Sequence, residues 1–200
     1  MENKYEKLLN IHTEGMQEKF NEIKDYFIYE PTSYYVLESL LTNYPLLKTD
    51  SVVDFGSGKG RLNFFMHYHF KCQVTGIEMN QDYYNDALEN LESYRSSHDI
   101  SDHKINFINC TAEEYEIQNT DNKFYFFNPF SVKIFIKVVL NIIFSTFEND
   151  RPVDIILFYP HEDYINFLDN YTDFELFKEI KLFPQYYNDN REKVLIYRLT

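Results

Sequence analysis

The chain of 200 residues has few of the residue types that mark several classes of protein. It has no tryptophan and only two cysteines, Cys72 and Cys110, which are too few and too far apart for a disulfide scaffold or a Cys-x-x-Cys metal site. It has no apolar run of transmembrane length, and no basic segment followed by a short apolar stretch opens it. We therefore expect a cytoplasmic protein with free, buried thiols that forms one domain over residues 1–200.

Basic residues are also scarce. The chain has 19 lysines and arginines against 32 acids, a formal net charge of −13, and its basic residues occur only as isolated pairs. A protein that neutralises a nucleic-acid backbone needs a basic surface stripe. The composition therefore disfavours nucleic acid and favours a small-molecule or protein substrate, and a cationic one is compatible with the charge.

Glycine is rare, yet three of the five glycines stand at alternate positions, as Gly56, Gly58 and Gly60, directly after the apolar run Ser51–Phe55. Glycine adopts positive φ and lets a ligand approach the backbone. The apolar segment that follows, from about Lys59 to Phe70, predicts a helix whose first N–H groups face that ligand. The spacing therefore predicts a binding loop between a strand and a helix.

The spacing of this loop separates three kinds of glycine motif. A P-loop is excluded, because Lys59 is followed by Gly60 and not by serine or threonine. The dinucleotide fingerprint requires glycine where Arg61 stands, so an NAD(P)-dependent oxidoreductase remains a minor alternative. The pattern Asp-x-Gly-x-Gly-x-Gly that begins at Asp54 resembles the cofactor loop of class I S-adenosylmethionine-dependent methyltransferases.

A carboxylate follows the next predicted strand. Glu78 stands 24 positions after Asp54, about the interval that a β-α-β unit requires, and its carboxylate can accept both hydroxyl protons of a ribose. The resemblance implies that Glu78 holds the ribose and that the next residue, Met79, packs on the adenine. It also implies a cofactor-binding set of Asp54, Gly56, Ser57, Gly58, Gly60, Glu78, Met79, Thr111 and Ala112. In that set Asp54 orders the loop, and Thr111 stands where the family has an acid beside an alanine.

The segment Asn128-Pro129-Phe130 follows a further strand-like run, and its proline ends that strand. It resembles a shortened form of the Asn/Asp-Pro-Pro-Tyr/Phe segment of amino-group methyltransferases. The resemblance implies that Asn128, Pro129 and Phe130 frame the methyl-transfer site. The second proline is absent, which leaves the nucleophile open. Tyr159 and His161, after a later strand, are further candidates for substrate contact or for a base.

Strand and helix signals alternate from Ser51 onward and end in two segments of alternating polarity, Phe174–Phe183 and Lys193–Leu199. They predict an α/β fold with a seven-stranded, mostly parallel Rossmann-like sheet, helices on both faces and a C-terminal antiparallel β-hairpin. Residues 1–48 are expected to form an N-terminal helical extension, because apolar residues stand at loosely helical spacing between Leu8 and Phe27. Residues 49–200 are expected to form the α/β core. Thr32 or Ser33 is expected to cap a helix over Tyr34–Asn43.

The combined hypothesis is methyl transfer from S-adenosylmethionine, by in-line displacement, to an acceptor that is a small-molecule or protein amine in preference to nucleic acid. A different-class alternative is a catalytically silent S-adenosylmethionine- or nucleotide-binding module that acts through a protein partner. No metal site is expected, because His67 and His69 stand two positions apart on a predicted helix and project in different directions.

Overall fold

The computed structural model describes residues 2–15, 25–26, 29–100 and 104–200. Four of the apolar residues between Leu8 and Phe27 on which the helical prediction for the N-terminal extension rests lie outside these ranges: Met16, Phe20, Ile23 and Phe27. Two helices, α1 (Glu2–Leu9) and α2 (Tyr34–Asn43), precede the sheet. No helix in the described part of the chain is long and apolar enough to cross a membrane.

The sheet has seven strands in the order β3-β2-β1-β4-β5-β7-β6. Its strands are β1 (Ser51–Phe55), β2 (Gln73–Ile77), β3 (Ile105–Ile108), β4 (Lys123–Phe126), β5 (Val153–Phe158), β6 (Glu175–Lys181) and β7 (Lys193–Leu199). The first five run parallel, whereas β7 pairs antiparallel with both β5 and β6. The predicted mostly parallel sheet with a terminal antiparallel hairpin is confirmed.

The helices between the strands are α3 (Arg61–Phe70), α4 (Gln81–Ser97), α5 (Val132–Glu148) and α6 (Glu162–Tyr171). The central strands are buried along their whole length, so neighbouring residues pack into opposite cores. Val52 packs with α1 to α4, whereas Val53 packs with α5 and α6. The predicted helices on both faces of the sheet are therefore present.

Several element boundaries differ from the sequence prediction. Helix α3 begins at Arg61 and not at Lys59, because Gly58 (φ 52°) and Gly60 (φ 87°) adopt left-handed backbone conformations that a right-handed helix cannot contain. Strand β4 ends before Phe127, and Asn128 also has a positive φ of 39°. Helix α2 has the predicted bounds with Ser33 as its N-cap, while the Thr32 hydroxyl lies 2.9 Å from the Tyr125 hydroxyl.

Candidate functional site

A cavity of about 370 Å³ lies beyond the carboxyl ends of the parallel strands. Loops that follow all five parallel strands contribute to its wall, as open parallel sheets favour for ligand sites. Nine of the twelve predicted site residues line it: Asp54, Gly56, Ser57, Glu78, Met79, Ala112, Asn128, Pro129 and Phe130. Gly58, Gly60 and Thr111 do not line it.

The glycine loop is shaped by close contacts that no side chain would tolerate. Gly56 has φ 81°, and a Cβ on it would lie 2.7 Å from Cβ of Pro129. A Cβ on Gly58 would lie 2.0 Å from Cε2 of Tyr29. The first glycine thus admits the Asn128-Pro129-Phe130 segment, and the second admits an aromatic ring from the N-terminal extension.

Glu78 connects the glycine loop with the start of α4. One carboxylate oxygen accepts a hydrogen bond from the backbone N–H of Gly58 at 2.8 Å, and the other accepts from the N–H of Asn80 at 2.7 Å. The side chain is 7% exposed and lies in the cavity wall. Burial raises the pKa of this carboxyl group, and hydrogen bonds from the backbone N–H groups of Asn80, Gly58 and Met79 oppose the rise.

Asp54 is the more deeply buried acid of the pair. With the Asn63 amide nitrogen turned toward it, that nitrogen donates to Asp54 Oδ2 at 2.9 Å while the amide oxygen accepts from the N–H of Gly76 at 3.2 Å. Burial and the nearby charge of Glu78 raise the pKa of Asp54 to about 8. Burial and the charge of Glu78 thus favour the protonated form of the Asp54 carboxyl group, and the hydrogen bond from Asn63 opposes them.

The three predicted residues outside the cavity wall have other contacts. Gly58 donates its N–H to Glu78. Gly60 is the N-cap of α3, and a Cβ on it would lie 2.5 Å from the ring of Phe107. The Thr111 hydroxyl donates to Glu114 at 2.8 Å within a capping box, whereas its neighbour Ala112 lies in the wall.

Asn128 joins the tips of β4 and β5. Its side-chain amide donates to the carbonyl oxygen of Tyr159 and accepts from the N–H of His161 at 3.1 Å. Asn128 (φ 39°) and Tyr159 (φ 50°) both have left-handed backbone conformations, which asparagine tolerates and which are strained for a tyrosine. Tyr159 and His161 line the cavity beside Asn128.

Sequence reasoning missed the aromatic side chains that the N-terminal extension places over this site. Tyr29 packs against Tyr83 with ring centroids 4.6 Å apart and an angle of 37° between the rings, and its hydroxyl donates to the carbonyl oxygen of Thr13 at 2.9 Å. Tyr26 pairs with Phe130 in an isolated β-bridge and donates to Glu113 at 2.8 Å. The high tyrosine content was the available signal, but it did not show which tyrosines contact the loop.

Arg61 was also missed, and it fastens the extension to the glycine loop. Its guanidinium donates to Glu2 at 2.7 Å and to the Thr13 hydroxyl at 2.7 Å, and it lies 3.5 Å from Glu6. It also covers the ring of Tyr34 at 4.6 Å from the centroid. The residue that fails the dinucleotide fingerprint is therefore a buried anchor for the N-terminal extension.

The described residues contain no group of three or more histidine, cysteine or acidic side chains that could hold a metal ion. Nδ1 of His67 lies 3.0 Å from the hydroxyl of Tyr94, and His69 packs on Phe65. Both imidazoles are therefore packed against aromatic side chains of the protein.

Comparisons with known proteins agree with this architecture. A protein-family model described as a methyltransferase domain matches residues 19–157, more than half of the chain. Comparison with curated protein sequences found no match.

Three of the similar solved structures are described as proven or putative methyltransferases. An RNA methyltransferase from Salinibacter ruber in complex with S-adenosyl-L-homocysteine has a TM-score of 0.53 and 18% identity, over 86% of this chain and 93% of that one. A putative methyltransferase from Escherichia coli has a TM-score of 0.58 and 16% identity, over 84% and 86%. A geranyl diphosphate methyltransferase in complex with geranyl diphosphate and sinefungin has a TM-score of 0.54 and 13% identity, over 82% of this chain and 77% of that one.

Structural similarity at such low sequence identity shows that the fold is shared and shows nothing about substrate. The family match is a separate result, and it gives no support to the oxidoreductase and silent-module alternatives. The chain therefore belongs to the methyltransferase family, with the Rossmann-like fold of class I S-adenosylmethionine-dependent methyltransferases.

Proposed function

We propose that this enzyme moves a methyl group from S-adenosylmethionine to an amine of a small molecule or protein, within the cavity between the glycine loop and Asn128-Pro129-Phe130. The observation that carries the proposal is that one cavity contains both Glu78 and this tripeptide. When bound, S-adenosylmethionine supplies an activated methyl group on a sulfonium sulfur.

The residues of the cavity fit an adenosyl cofactor. Each oxygen of the Glu78 carboxylate accepts one backbone N–H, and since a carboxylate has about four acceptor positions, capacity remains for the two ribose hydroxyls. The Ser57 hydroxyl is buried and has no hydrogen-bond partner among the described residues. Met79 and Ala112 supply apolar wall for a purine.

On this proposal the chain positions the acceptor and needs little acid–base chemistry. The Asn128 amide fixes the tips of β4 and β5, and Pro129 lies against Gly56, so the acceptor side is held at a fixed place relative to the glycine loop. Alignment of nucleophile, methyl group and leaving sulfur supplies much of the rate enhancement in such displacements.

The comparisons do not support the prediction that nucleic acid is an improbable acceptor, because a structure of the same fold is an RNA methyltransferase. The net charge of −13 opposes a long phosphate contact, but a local surface could differ from the average. RNA therefore belongs in the acceptor tests, as a second candidate.

Calorimetry with S-adenosylhomocysteine tests the cofactor assignment. We expect Glu78→Gln to retain the fold but to bind at least about tenfold more weakly, because a neutral amide replaces an acceptor of two hydroxyl protons. Glu89→Gln on the exposed face of α4 is the matched control and should bind like the wild type. Unchanged affinity in Glu78→Gln would contradict the assignment.

Transfer of labelled methyl into fractions of a cell extract tests catalysis. We expect Asn128→Ala to bind S-adenosylhomocysteine normally and to lose about a hundredfold in transfer, since a displacement of about 1 Å has an effect of this size. Absence of transfer by the wild type into any fraction, with binding intact, would favour a silent binding module.

A further inference from the structure

We infer that the methyl acceptor is an amine that is positively charged at neutral pH and is joined to an aromatic or other apolar group, with Glu30 and Tyr159 as the side chains that select it. The inference rests on the proposed methyl transfer and deepens it. Its starting point is the wall of the cavity on the side of Asn128.

That side of the cavity is mainly aromatic. Tyr26, Phe127, Phe130 and Tyr159 line it, and Phe127 packs on Phe158 with ring centroids 4.4 Å apart. Aromatic walls accept flat apolar groups, and their faces attract cations. The ring of Tyr159 already holds a cation, because the Arg191 guanidinium lies 4.5 Å from its centroid.

The entrance to this side is acidic. Glu30 is exposed, lines the cavity and forms no hydrogen bond or ion pair within the described ranges. Asp189 accepts from the Tyr159 hydroxyl at 2.6 Å and pairs with Arg191 at 2.7 Å. Glu192 lies three positions after Asp189, and burial and the charges of Asp189 and Glu30 raise the pKa of its carboxyl group.

Within the part of the chain that the structure describes, no unpaired lysine or arginine lines the cavity to bind an anionic acceptor. Among its lining residues Arg61 is the sole lysine or arginine, and its guanidinium is occupied by Glu2, Glu6 and Thr13. The rim cation, Arg191, is paired with Asp189. A phosphate or carboxylate on the acceptor would therefore face Glu30 without a partner, whereas an ammonium group would be stabilised there.

The charge balance of the reaction is compatible with such an acceptor. The bound ammonium group first loses a proton to water at the open mouth, where Glu30 and His161 are exposed. The nitrogen lone pair then forms a bond to the methyl carbon while the carbon–sulfur bond breaks, and its electron pair stays on sulfur. The positive charge thus moves from sulfur to nitrogen, and no other reactant is required.

Matched probes test the charge preference on the enzyme saturated with S-adenosylhomocysteine. Tyramine carries an ammonium group, 3-(4-hydroxyphenyl)propionate is its carboxylate counterpart, and a short single-stranded RNA represents polyanions. By calorimetry we expect tyramine to bind at least about tenfold more tightly than the carboxylate. Tyramine should also accept labelled methyl, whereas the carboxylate should not.

Charge reversal identifies the group that makes the selection. We expect Glu30→Lys to weaken tyramine binding about tenfold and to narrow or reverse the preference over the carboxylate. Glu92→Lys, an exposed acid on α4 away from the cavity, is the matched control and should leave the preference unchanged. Tyr159→Leu should weaken the binding of tyramine without altering the affinity for S-adenosylhomocysteine.

Equal or tighter binding of the carboxylate or the RNA would overturn the inference, as would failure of tyramine to bind. Either result, with S-adenosylhomocysteine still bound, leaves the cofactor assignment standing. Failure of S-adenosylhomocysteine itself to bind would instead refute the proposed function, and with it the inference. A preference for tyramine that Glu30→Lys does not change would show that Glu30 is not the selecting residue.

Discussion

The protonation of Asp54 gives a quantitative prediction about stability. Its pKa is about 8 in the folded protein, because the side chain is 5% exposed and lies near Glu78, whereas an exposed aspartate has a pKa near 3.9. Between these two values the unfolded chain has released a proton that the folded chain still holds. The free energy of unfolding therefore falls as pH rises through this window, and the loss from Asp54 is complete above about pH 8.

The size of the effect follows from one proton. One pH unit within the window changes the free energy of unfolding by about 1.4 kcal/mol, so the loss from pH 5 to pH 7 is about 2.7 kcal/mol. Asp54→Asn resembles the protonated acid and cannot titrate. We expect the variant to lack this part of the pH dependence, so that its stability relative to the wild type rises with pH.

Urea unfolding of both proteins at a series of pH values from 4 to 9 measures the difference. Asp163→Asn, which removes an exposed acid, should leave the profile unchanged. In a Glu78→Gln background the window should end at lower pH, because the charge of Glu78 contributes to the raised pKa. Parallel profiles for wild type and Asp54→Asn would refute the reasoning.

Three further changes test other parts of the structure. Gly58→Ala places a Cβ on a residue with φ 52° and against the ring of Tyr29, so we expect the affinity for S-adenosylhomocysteine to fall and the free energy of unfolding to drop by about 1–2 kcal/mol or more. Tyr29→Ala should partly rescue both losses, which calorimetry and urea unfolding of the double variant measure. Additive effects of the two substitutions would contradict this contact. Arg61→Leu leaves the buried carboxylate of Glu6 without its cation and should lower the free energy of unfolding by about 3–5 kcal/mol, measured by urea unfolding. A loss below about 1 kcal/mol would argue against the anchor. Asp154→Asn should cost a similar amount at pH 7, measured by thermal unfolding, but little below pH 4. Burial alone would raise the pKa of Asp154, but hydrogen bonds from Arg198 and Tyr44 and the charge of Lys123 hold it below its usual value. The stability that the ionised Asp154 contributes is therefore lost as pH falls. A loss of stability in Asp154→Asn that persists at pH 3 would contradict this reasoning.

The sheet and its loops were predictable because their signals are local. The bounds of β1, β2, β5 and β7 follow directly from short apolar runs bounded by polar or turn residues. The glycine spacing and the acid at Glu78 located one cavity wall, since parallel strands bring their carboxyl ends to the same edge.

The rest of the site depends on contacts between residues far apart in the chain. Arg61 meets Glu2 and Glu6 across more than fifty positions, and no period or spacing in the sequence reports such a pair. The same is true of Tyr29 over Gly58. Thr111 shows a different limit, because its hydroxyl is occupied by Glu114 in a local capping box that competes with any contact to a ligand.

The hydrogen bonds of Asn128 have a consequence for how this candidate site can change. The Asn128 amide joins the tips of two neighbouring strands, and both tips adopt left-handed conformations. A change in the length or shape of one loop would therefore break its hydrogen bonds to the other loop. Variation in acceptor preference among relatives should therefore be concentrated in the N-terminal extension and the β6–β7 connection, which contribute Tyr26, Glu30 and Asp189 and make no hydrogen bond to the Asn128 amide.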